Sequence, residues 1–194
     1  MITYTTSKSD IELSGIIDLQ KINLPQSLTE IEIKNQGFVT VSHSLEDLRK
    51  MNNYEQNLII KDQNKVVGYI LAMTKNSKSE IPILISMFEI FDKIQYKEKL
   101  ISEYNYIVVG QVCIDKEYRG KGLLDNSYTA YKNYFKEKYD IAITKIAITN
   151  ERSINAHKRI GFSEIHRYTD TKFVEWSIVI WDWNKKDPIK NQII

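Results

Sequence analysis

Cysteine is almost absent from this 194-residue sequence, which contains only Cys113 and therefore cannot form an internal disulfide. Cys113 lies between Val112 and Ile114, a setting typical of a small buried core residue, and no base near it in the sequence indicates a nucleophile. A single free thiol fits a reducing compartment. No stretch is long and apolar enough to cross a bilayer, and the N-terminus lacks the basic and apolar segments of a signal peptide. We therefore expect a cytoplasmic protein that does not act at a membrane.

A strong excess of one charge is also lacking, since 27 Lys and Arg residues face 25 Asp and Glu residues. The net charge of +2 is too small to indicate a nucleic-acid-binding protein. Internal repeats and low-complexity segments are absent as well, and the length suits one domain with its own core. We expect a single domain over residues 1–184, followed by a polar tail over residues 185–194.

Apolar residues recur with helical and strand periods along the rest of the chain, and capping signals mark several helix ends. Helices are predicted over residues 10–22, 45–51, 122–138 and 152–160, with a further helix that opens near Ile83. Strands are predicted over residues 58–60, 66–73, 104–114, 143–149, 162–168 and 173–183, the first two as a hairpin. This order predicts one α/β domain with a mixed sheet.

The turn between the strand that ends at Ile114 and the helix that follows Gly122 is the most informative segment. Gly120 and Gly122 let the main chain approach a ligand closely, and the first amides of a helix have no internal partners. With the helix dipole and the charges of Arg119 and Lys121, these amides favour a site for phosphate oxygens. The pattern lacks the Gly-Lys-Ser/Thr end of a Walker loop and the third glycine of a dinucleotide fingerprint. A tight turn without a ligand is the alternative.

Two segments of the sequence resemble the signatures of the GNAT N-acetyltransferase superfamily. The first, from Tyr118 to Gly122, resembles the Arg/Gln-x-x-Gly-x-Gly/Ala motif of that family. The second, from Asn150 to Phe162, is similar to the family's segment in which an Asn is followed by Ala-Tyr and then by Gly-Phe. One predicted helix and one predicted strand separate the two segments, as in the family. The resemblance covers residues 106–166.

The resemblance implies a GNAT-type fold, which is a mixed, mostly antiparallel sheet flanked by helices, with two strands that splay apart where CoA binds. It implies acetyl-CoA as the cosubstrate and no metal. In the family, the strand before the loop holds the pantetheine arm and the acetyl carbonyl through main-chain atoms, the loop amides hold the pyrophosphate, and the start of the second signature binds the pantetheine arm. The corresponding residues here are Val112, Cys113 and Ile114 on the strand, Arg119, Gly120, Lys121, Gly122, Leu123 and Leu124 in the loop, and Asn150 and Ser153 in the second segment.

The sequence departs from the family's pattern at two positions. Leu124 stands where the first motif ends in Gly or Ala, so the phosphate cradle is expected to be reshaped while its main-chain contacts survive. His157 stands in the place of the Tyr that often protonates the departing thiolate. A neutral His carries one ring N–H, so His157 is the predicted proton donor, with structural packing or a simple contact to CoA as the alternative.

The general base and the acceptor are not fixed by the sequence. Four residues could take the proton of the amine, namely Glu103, Asp115, His166 and Glu175, although Asp115 could instead end the strand or cap a turn. The segment 36–40 and the insertion around Pro82 and Met87 occupy positions that shape the acceptor site in the family. The aromatic residues Tyr104, Tyr106 and Trp176 either line the cleft or pack in the core.

The resulting prediction is an N-acyltransferase that moves an acetyl group from acetyl-CoA to a primary amine of a small molecule or peptide. The alternative is an acyl-CoA-binding module without efficient turnover, which the replacements at Leu124 and His157 keep open. Neither nucleic acid nor a membrane is an expected partner. A homodimer formed through the C-terminal strand is a further expectation.

Overall fold

The computed structural model of the chain describes residues 1–78 and 81–184. Six α-helices lie in this part of the chain: α1 (Asp10–Asn23), α2 (Glu30–Gln36), α3 (Leu45–Tyr54), α4 (Pro82–Phe91), α5 (Leu123–Phe135) and α6 (Glu151–Ile160). Nine strands accompany them: β1 (Ile2–Thr6), β2 (Leu58–Asp62), β3 (Lys65–Met73), β4 (Gln95–Tyr96), β5 (Lys99–Leu100), β6 (Tyr106–Ile114), β7 (Ile141–Ala147), β8 (Ser163–Thr169) and β9 (Glu175–Asp182). The predicted polar tail, residues 185–194, lies outside the described residues.

Seven of these strands form one sheet in the order β1-β2-β3-β6-β7-β9-β8. Every neighbouring pair is antiparallel except β6 and β7, which run parallel. The helix α5 connects these two strands, because a parallel pair needs a long crossover rather than a tight turn. β4 and β5 form a separate two-stranded hairpin. The predicted mixed, mostly antiparallel sheet flanked by helices is confirmed.

The two parallel strands separate part of the way along their length. β6 and β7 pair only as far as Val108 and Ile143, although β6 continues to Ile114. Just beyond the last pair, the Thr144 hydroxyl donates a hydrogen bond of 2.7 Å to the Val109 carbonyl. This is the predicted splay, and it leaves the β7-facing edge of β6 without a strand partner, so main-chain groups there are available to a ligand.

Helices cover the sheet on both sides. On one side, which we call the α1 face, residues of α1, α3 and α4 pack with Ile143 and Ile178. On the other side, the α5 face, Tyr128 and Ala142 belong to a second buried cluster, against which part of α6 also packs. Cys113 is buried in the α1-face core, as predicted, and this burial raises the pKa of its thiol to about 11. The thiol is therefore protonated at neutral pH and unsuited to act as a nucleophile.

The capping signals in the sequence are used at three helix ends. Ser9 accepts the Glu12 amide at 3.4 Å where α1 begins, and Ser44 forms a reciprocal capping box with Asp47 where α3 begins. Gly161 ends α6 in a left-handed conformation with φ of 118°. Local side-chain chemistry therefore sets these boundaries as expected.

The helix expected to open near Ile83 is α4, and Met87 and Phe88 of its predicted apolar face are buried. Phe88 stacks against Tyr106 with 6.1 Å between the ring centroids. The Tyr106 hydroxyl donates a hydrogen bond of 2.8 Å to Asp92 Oδ1. Tyr106 therefore belongs to the core and not to a ligand cleft.

Several boundaries and elements differ from the sequence prediction. β1 pairs with β2 at the edge of the sheet and was not expected. The helix α2 was not expected either, because none of its seven residues is buried and so no apolar period marks it. Its signal is the capping box of Thr29 and Glu32. The strand predicted over 143–149 is β7, which lies two residues earlier, and the strand predicted from Tyr104 begins at Tyr106.

Candidate active site

The loop between β6 and α5 is open on one side. Asp115 follows β6 and caps a one-turn 3-10 helix by accepting the Glu117 amide at 3.1 Å. Gly120 and Gly122 have φ of 73° and 75°, and Gly122 is the N-cap of α5. A Cβ atom built on either glycine would meet no heavy atom within 4 Å. The loop therefore has free space in front of its main chain, into which a ligand could fit.

The amides of this loop lack partners within the described part of the chain. No acceptor there lies within hydrogen-bond distance of the amides from Gly120 to Asp125. The helix begins its own hydrogen bonding with the Asn126 amide, which donates to the Gly122 carbonyl at 3.1 Å. The positive end of the α5 dipole lies at the same place. Such an arrangement binds phosphate oxygens.

The side chain of Arg119 anchors the loop to the rest of the protein. Its Nε donates to the Ile114 carbonyl at 2.8 Å. Its terminal nitrogens donate to Gln36 Oε1 and to Asn23 Oδ1, each at 2.6 Å. The guanidinium charge therefore stays next to the loop, and three of its five N–H donors are used by the protein itself.

The loop forms one wall of a cleft of about 380 Å³ beside the point where β6 and β7 separate. The start of α6 forms a second wall, and residues 36–39, which comprise the end of α2 and the segment after it, form a third. The predicted site residues that line the cleft are Val112, Cys113, Ile114, Arg119, Gly120, Gly122, Leu123, Leu124, Asn150, Ser153 and His157. Lys121 does not line it, because its Nζ lies over the Tyr118 ring, 5.3 Å from the centroid. The structure thus brings together two segments that are separated by a helix and a strand.

Asn150 connects the start of α6 to the wall formed by residues 36–39. Its Oδ1 accepts the Ser153 amide at 3.2 Å, so Asn150 is the N-cap of α6. Its Nδ2 donates to the Phe38 carbonyl at 3.4 Å. A Cβ atom at Gly37 would lie 3.1 Å from the same Oδ1. The two walls are therefore in close contact, and a larger residue at position 37 would push them apart.

His157 is buried on α6, with both ring nitrogens hydrogen-bonded. Its Nδ1 lies 2.8 Å from the Ser153 carbonyl, which can only accept, so Nδ1 carries the proton. Its Nε2 lies 2.7 Å from the Tyr128 hydroxyl and must then accept from it. Burial lowers the pKa of His157 to about 4, so the ring is neutral at pH 7. In this arrangement the single ring N–H is directed at the helix backbone and not at the cleft.

Basic residues that the sequence analysis did not single out also line the cleft. Arg159 of α6 forms an ion pair with Asp125 in the first turn of α5, with 3.0 Å between Nη2 and Oδ1. Arg152 donates to the Asn35 carbonyl at 2.9 Å. The two arginines are seven residues apart, so they lie on one side of α6. This spacing within the second motif is the signal that could have found them.

The four candidates for the general base do not line the cleft in the described part of the chain. Asp115 is the N-cap described above and also accepts from Lys65 Nζ at 3.2 Å. Glu103 accepts the Leu100 amide at 2.7 Å. Glu175 and His166 are exposed on β9 and β8. The capping alternative given for Asp115 is therefore confirmed.

The described residues contain no group of three or more His, Cys, Asp or Glu side chains that could hold a metal ion. None of their helices combines the length and the hydropathy needed to cross a bilayer.

Solved structures with the same fold were found at low sequence identity. The ribosomal-protein-S18-alanine N-acetyltransferase from Escherichia coli is 10% identical with a TM-score of 0.63, and the match covers 100% of both chains. A chain of the NatC complex bound to Gag peptide and CoA is 14% identical with a TM-score of 0.61, over 93% of this chain and 98% of that one. A chimera of the spermidine N-acetyltransferase SpeG from Vibrio cholerae is 14% identical with a TM-score of 0.56, over 93% and 95%.

A search of curated protein sequences gives no match. The family described as "Acetyltransferase (GNAT) family" matches residues 26–162, which is more than half of the chain and includes both motifs. The cleft at the split between β6 and β7 lies within this matched segment. The chain therefore belongs to the GNAT acetyltransferase family.

Proposed function

We propose that this protein transfers an acetyl group from acetyl-CoA to a primary amine of a small molecule or a peptide. The observation that carries the proposal is the cleft at the split between β6 and β7, with the unpartnered amides from Gly120 to Asp125 on its wall. A phosphate-bearing cosubstrate fits these amides, and a thioester arm that lies in the cleft would reach the gap between the strands. In this proposal the amine approaches the same gap from the opposite side of the sheet.

The residues of the cleft divide the binding of CoA between them. The loop amides from Gly120 to Leu124 would hold the pyrophosphate, with those of Gly120 and Gly122 in front of the free space. The Arg119 amide, which the sequence analysis included, instead donates to the Lys116 carbonyl at 3.4 Å. Main-chain atoms of Val112, Cys113 and Ile114 would hold the pantetheine arm, together with Asn150 and Ser153 at the start of α6. Leu124 leaves the main-chain contacts intact, since its side chain packs against both neighbouring buried clusters. When bound, acetyl-CoA supplies the activated acetyl group.

The role of His157 as proton donor stays a prediction. Its hydrogen bonds to Ser153 and Tyr128 favour a positioning role, in which the ring ties α6 to α5 and thereby keeps two cleft walls at a fixed distance. To donate a proton to the departing sulfur, the ring would have to release the Ser153 carbonyl and turn its N–H towards the cleft. This observation also supports the alternative of an acyl-CoA-binding module, in which no proton donor is needed.

An amine acceptor is part of this proposal. The similar structures that support it are a ribosomal-protein-S18-alanine N-acetyltransferase, a complex bound to a Gag peptide and a spermidine N-acetyltransferase. In this chain, residues 36–39 line the cleft beside Asn150 and are in a position to contact an acceptor. A cytoplasmic location, a homodimer and a domain over residues 1–184 stay predictions as well.

Binding is tested by the thermal stability of the protein with acetyl-CoA. At about a hundred times its Kd, a ligand stabilises the folded state by about 2.7 kcal/mol, which raises the Tm by about 5–10 °C for a domain of this size. Gly122→Glu should abolish this shift, because it places a carboxylate among the phosphate-binding amides. Gly122→Ala is the matched control, since it bears the same strain at φ of 75°, about 1–2 kcal/mol, without the charge. Normal acetyl-CoA binding by the Glu variant would contradict the assignment of the loop.

Turnover is tested by the release of free CoA thiol in the presence of amino acids, polyamines, aminoglycosides and peptides with free N-termini. Thiol release that depends on one class of amine supports N-acetyl transfer and identifies the acceptor class. Stabilisation by acetyl-CoA without thiol release for any amine would favour the binding module.

A further inference from the structure

Lys145 lies on β7 just beyond the point where β6 leaves it. Ile143 is the last β7 residue paired with β6, and Lys145 is the next residue of β7 on the same side of the sheet. Its partner across the antiparallel pair with β9 is Ile178, which belongs to the core of the α1 face. Lys145 is therefore on the α1 face, whereas α5, whose N-terminus carries the phosphate-binding amides, packs on the other face.

The ammonium group of Lys145 is held by aromatic side chains. Nζ lies 4.3 Å from the centroid of the Trp176 ring and 3.3 Å from the Tyr168 hydroxyl. Trp176 and Tyr168 are opposite each other on β9 and β8, on the α1 face. The side chain of Lys145 is partly buried, and this burial lowers the pKa of its ammonium group, because the charged form loses hydration.

Nearby acidic groups do not neutralise this ammonium. Among the described residues, no carboxylate oxygen lies within 4.0 Å of Lys145 Nζ. Asp170 raises the pKa of this ammonium through its negative charge, but its carboxylate already accepts from Trp176 Nε1 at 2.9 Å and from the Lys172 and Val174 amides. The ammonium is thus partly desolvated, fixed in position and without a direct anionic partner.

Two other partly exposed lysines show the more usual arrangement. Lys61 pairs with Glu12 at 2.8 Å, and Lys78 pairs with Asp92 at 3.7 Å. Each thereby gains a carboxylate that offsets the lost hydration of its ammonium. Lys145 differs from both because its carboxylate partner is missing from the described part of the chain, so an anion supplied by a ligand would fill that place.

A second basic side chain lies on the same surface. His166 of β8 is opposite Ile178, so it is on the same rung of the sheet as Lys145, with β9 between them. The two main chains are about 10 Å apart across the two strand spacings. A molecule that approaches the gap between β6 and β7 from the α1 face would therefore meet Lys145 beside the gap and His166 further out.

We propose that Lys145 binds a carboxylate of the acceptor, so that the acceptor is an amine that also carries a carboxylate, such as an amino acid or a short peptide. The inference rests on the proposed function, because it takes the gap between β6 and β7 as the place where the amine meets the acetyl group. The carboxylate would lie against both the Lys145 ammonium and the Tyr168 hydroxyl, which are 3.3 Å apart. Both groups can donate hydrogen bonds to it.

The first test measures binding without turnover. Tryptophan fluorescence is followed during titration with N-acetylglycine, and N-acetylglycinamide serves as the uncharged probe of equal shape. We expect a saturable change with the acid alone, because an anion on Lys145 alters the surroundings of the Trp176 ring. Lys145→Met should abolish the response and Lys145→Arg should retain it. The matched control is Lys132→Met. Lys132 Nζ lies 5.3 Å from the Trp181 ring centroid on the α5 face, so this variant should keep the response to the acid.

The second test measures thiol release with glycine and alanine against their amides. The amides hold a larger fraction of neutral amine at pH 7, so the ratio of kcat/KM for acid and amide is compared between the wild type and the variants. We expect this ratio to fall about tenfold in Lys145→Met and to be unchanged in Lys132→Met.

The two tests separate the inference from the proposed function. Titrations are run with and without CoA, and thermal stabilisation by acetyl-CoA is measured on the same samples. An equal response to the acid and the amide, or an acid response that survives in Lys145→Met, overturns the role of Lys145. Absence of CoA binding together with an intact acid response would instead refute the proposed function and leave an anion site at Lys145.

Discussion

Two buried histidines should make the stability of this protein fall as the pH is lowered from 7 to 5. Burial lowers the pKa of His43 to about 4, and it does the same for His157. His43 Nδ1 faces the Gln20 side chain, with 3.0 Å to Nε2, and its main-chain amide donates to Gln20 Oε1 at 2.9 Å. Both rings are therefore neutral parts of the folded structure over the physiological pH range.

The sign and the size of the effect follow from the difference between the folded and unfolded states. An unfolded histidine has a pKa of about 6.5, so below that pH the unfolded chain binds protons that the folded chain does not bind until about pH 4. The stability from each neutral ring is fully present above pH 6.5 and is lost as the pH falls towards 4. Between pH 7 and pH 5 the loss is about 2 kcal/mol for each histidine, or about 4 kcal/mol for both. This loss is a large fraction of the total stability of a domain, which is about 5–15 kcal/mol.

The assay is urea unfolding at equilibrium at several pH values from 7 down to 5. This range avoids most of the contribution of carboxylates such as Asp170 and Asp182, whose pKa values are lowered in the folded state and whose stabilising effect is lost only at more acidic pH. His43→Gln and His157→Gln should each be less stable at pH 7 and should each remove about half of the pH dependence. A pH dependence that is unchanged in both variants would refute the reasoning. If a variant does not fold, a wild-type NMR titration that gives either ring a pKa near 6.5 would refute it as well.

Two further predictions concern the contacts that hold the cleft walls. Arg119→Met should lower the free energy of unfolding by about 1–3 kcal/mol, because Asn23 Oδ1 loses its hydrogen-bond donor in the protein interior. The same change should weaken acetyl-CoA binding. Urea unfolding measures the first effect, and the thermal shift caused by acetyl-CoA measures the second. Tyr128→Phe should cost about 1–3 kcal/mol of stability, because His157 Nε2 is left buried without a donor; a variant as stable as the wild type would contradict the assigned hydrogen bond.

The proposed phosphate-binding part of the site is predictable from the sequence because its chemistry is local. Gly120 and Gly122, the strand before them and the helix after them are contiguous, and the amides that face the ligand belong to the same segment. The second motif is equally local, since Asn150 caps the helix that carries His157. Short-range rules on glycine, helix ends and caps therefore predict the local conformation of both segments, and the family resemblance places both segments at one cleft.

The partners that side chains find across the cleft cannot be predicted from such local rules. Arg119 finds its acceptors Gln36 and Asn23 at sequence separations of 83 and 96 residues, and no local pattern indicates such partners. The same holds for Asp125 and Arg159, which are brought together only when α5 and α6 pack on one face of the sheet. The sequence shows that these residues are charged, and the fold decides whether a charge is used by the protein or left for a ligand.

Lys145 shows how this distinction bears on function. In the sequence it is one polar residue in an apolar strand, and a solvent-facing position would be the ordinary interpretation. The proposed role of Lys145 depends on where β6 stops pairing with β7, because only a residue beyond that point can contact a molecule in the gap. It also depends on Trp176 and Tyr168, which come from the last two strands and fix the ammonium without neutralising it. In our proposal, the phosphate loop binds the cosubstrate and side chains on the opposite face select the acceptor. Only the assembled sheet places those side chains together.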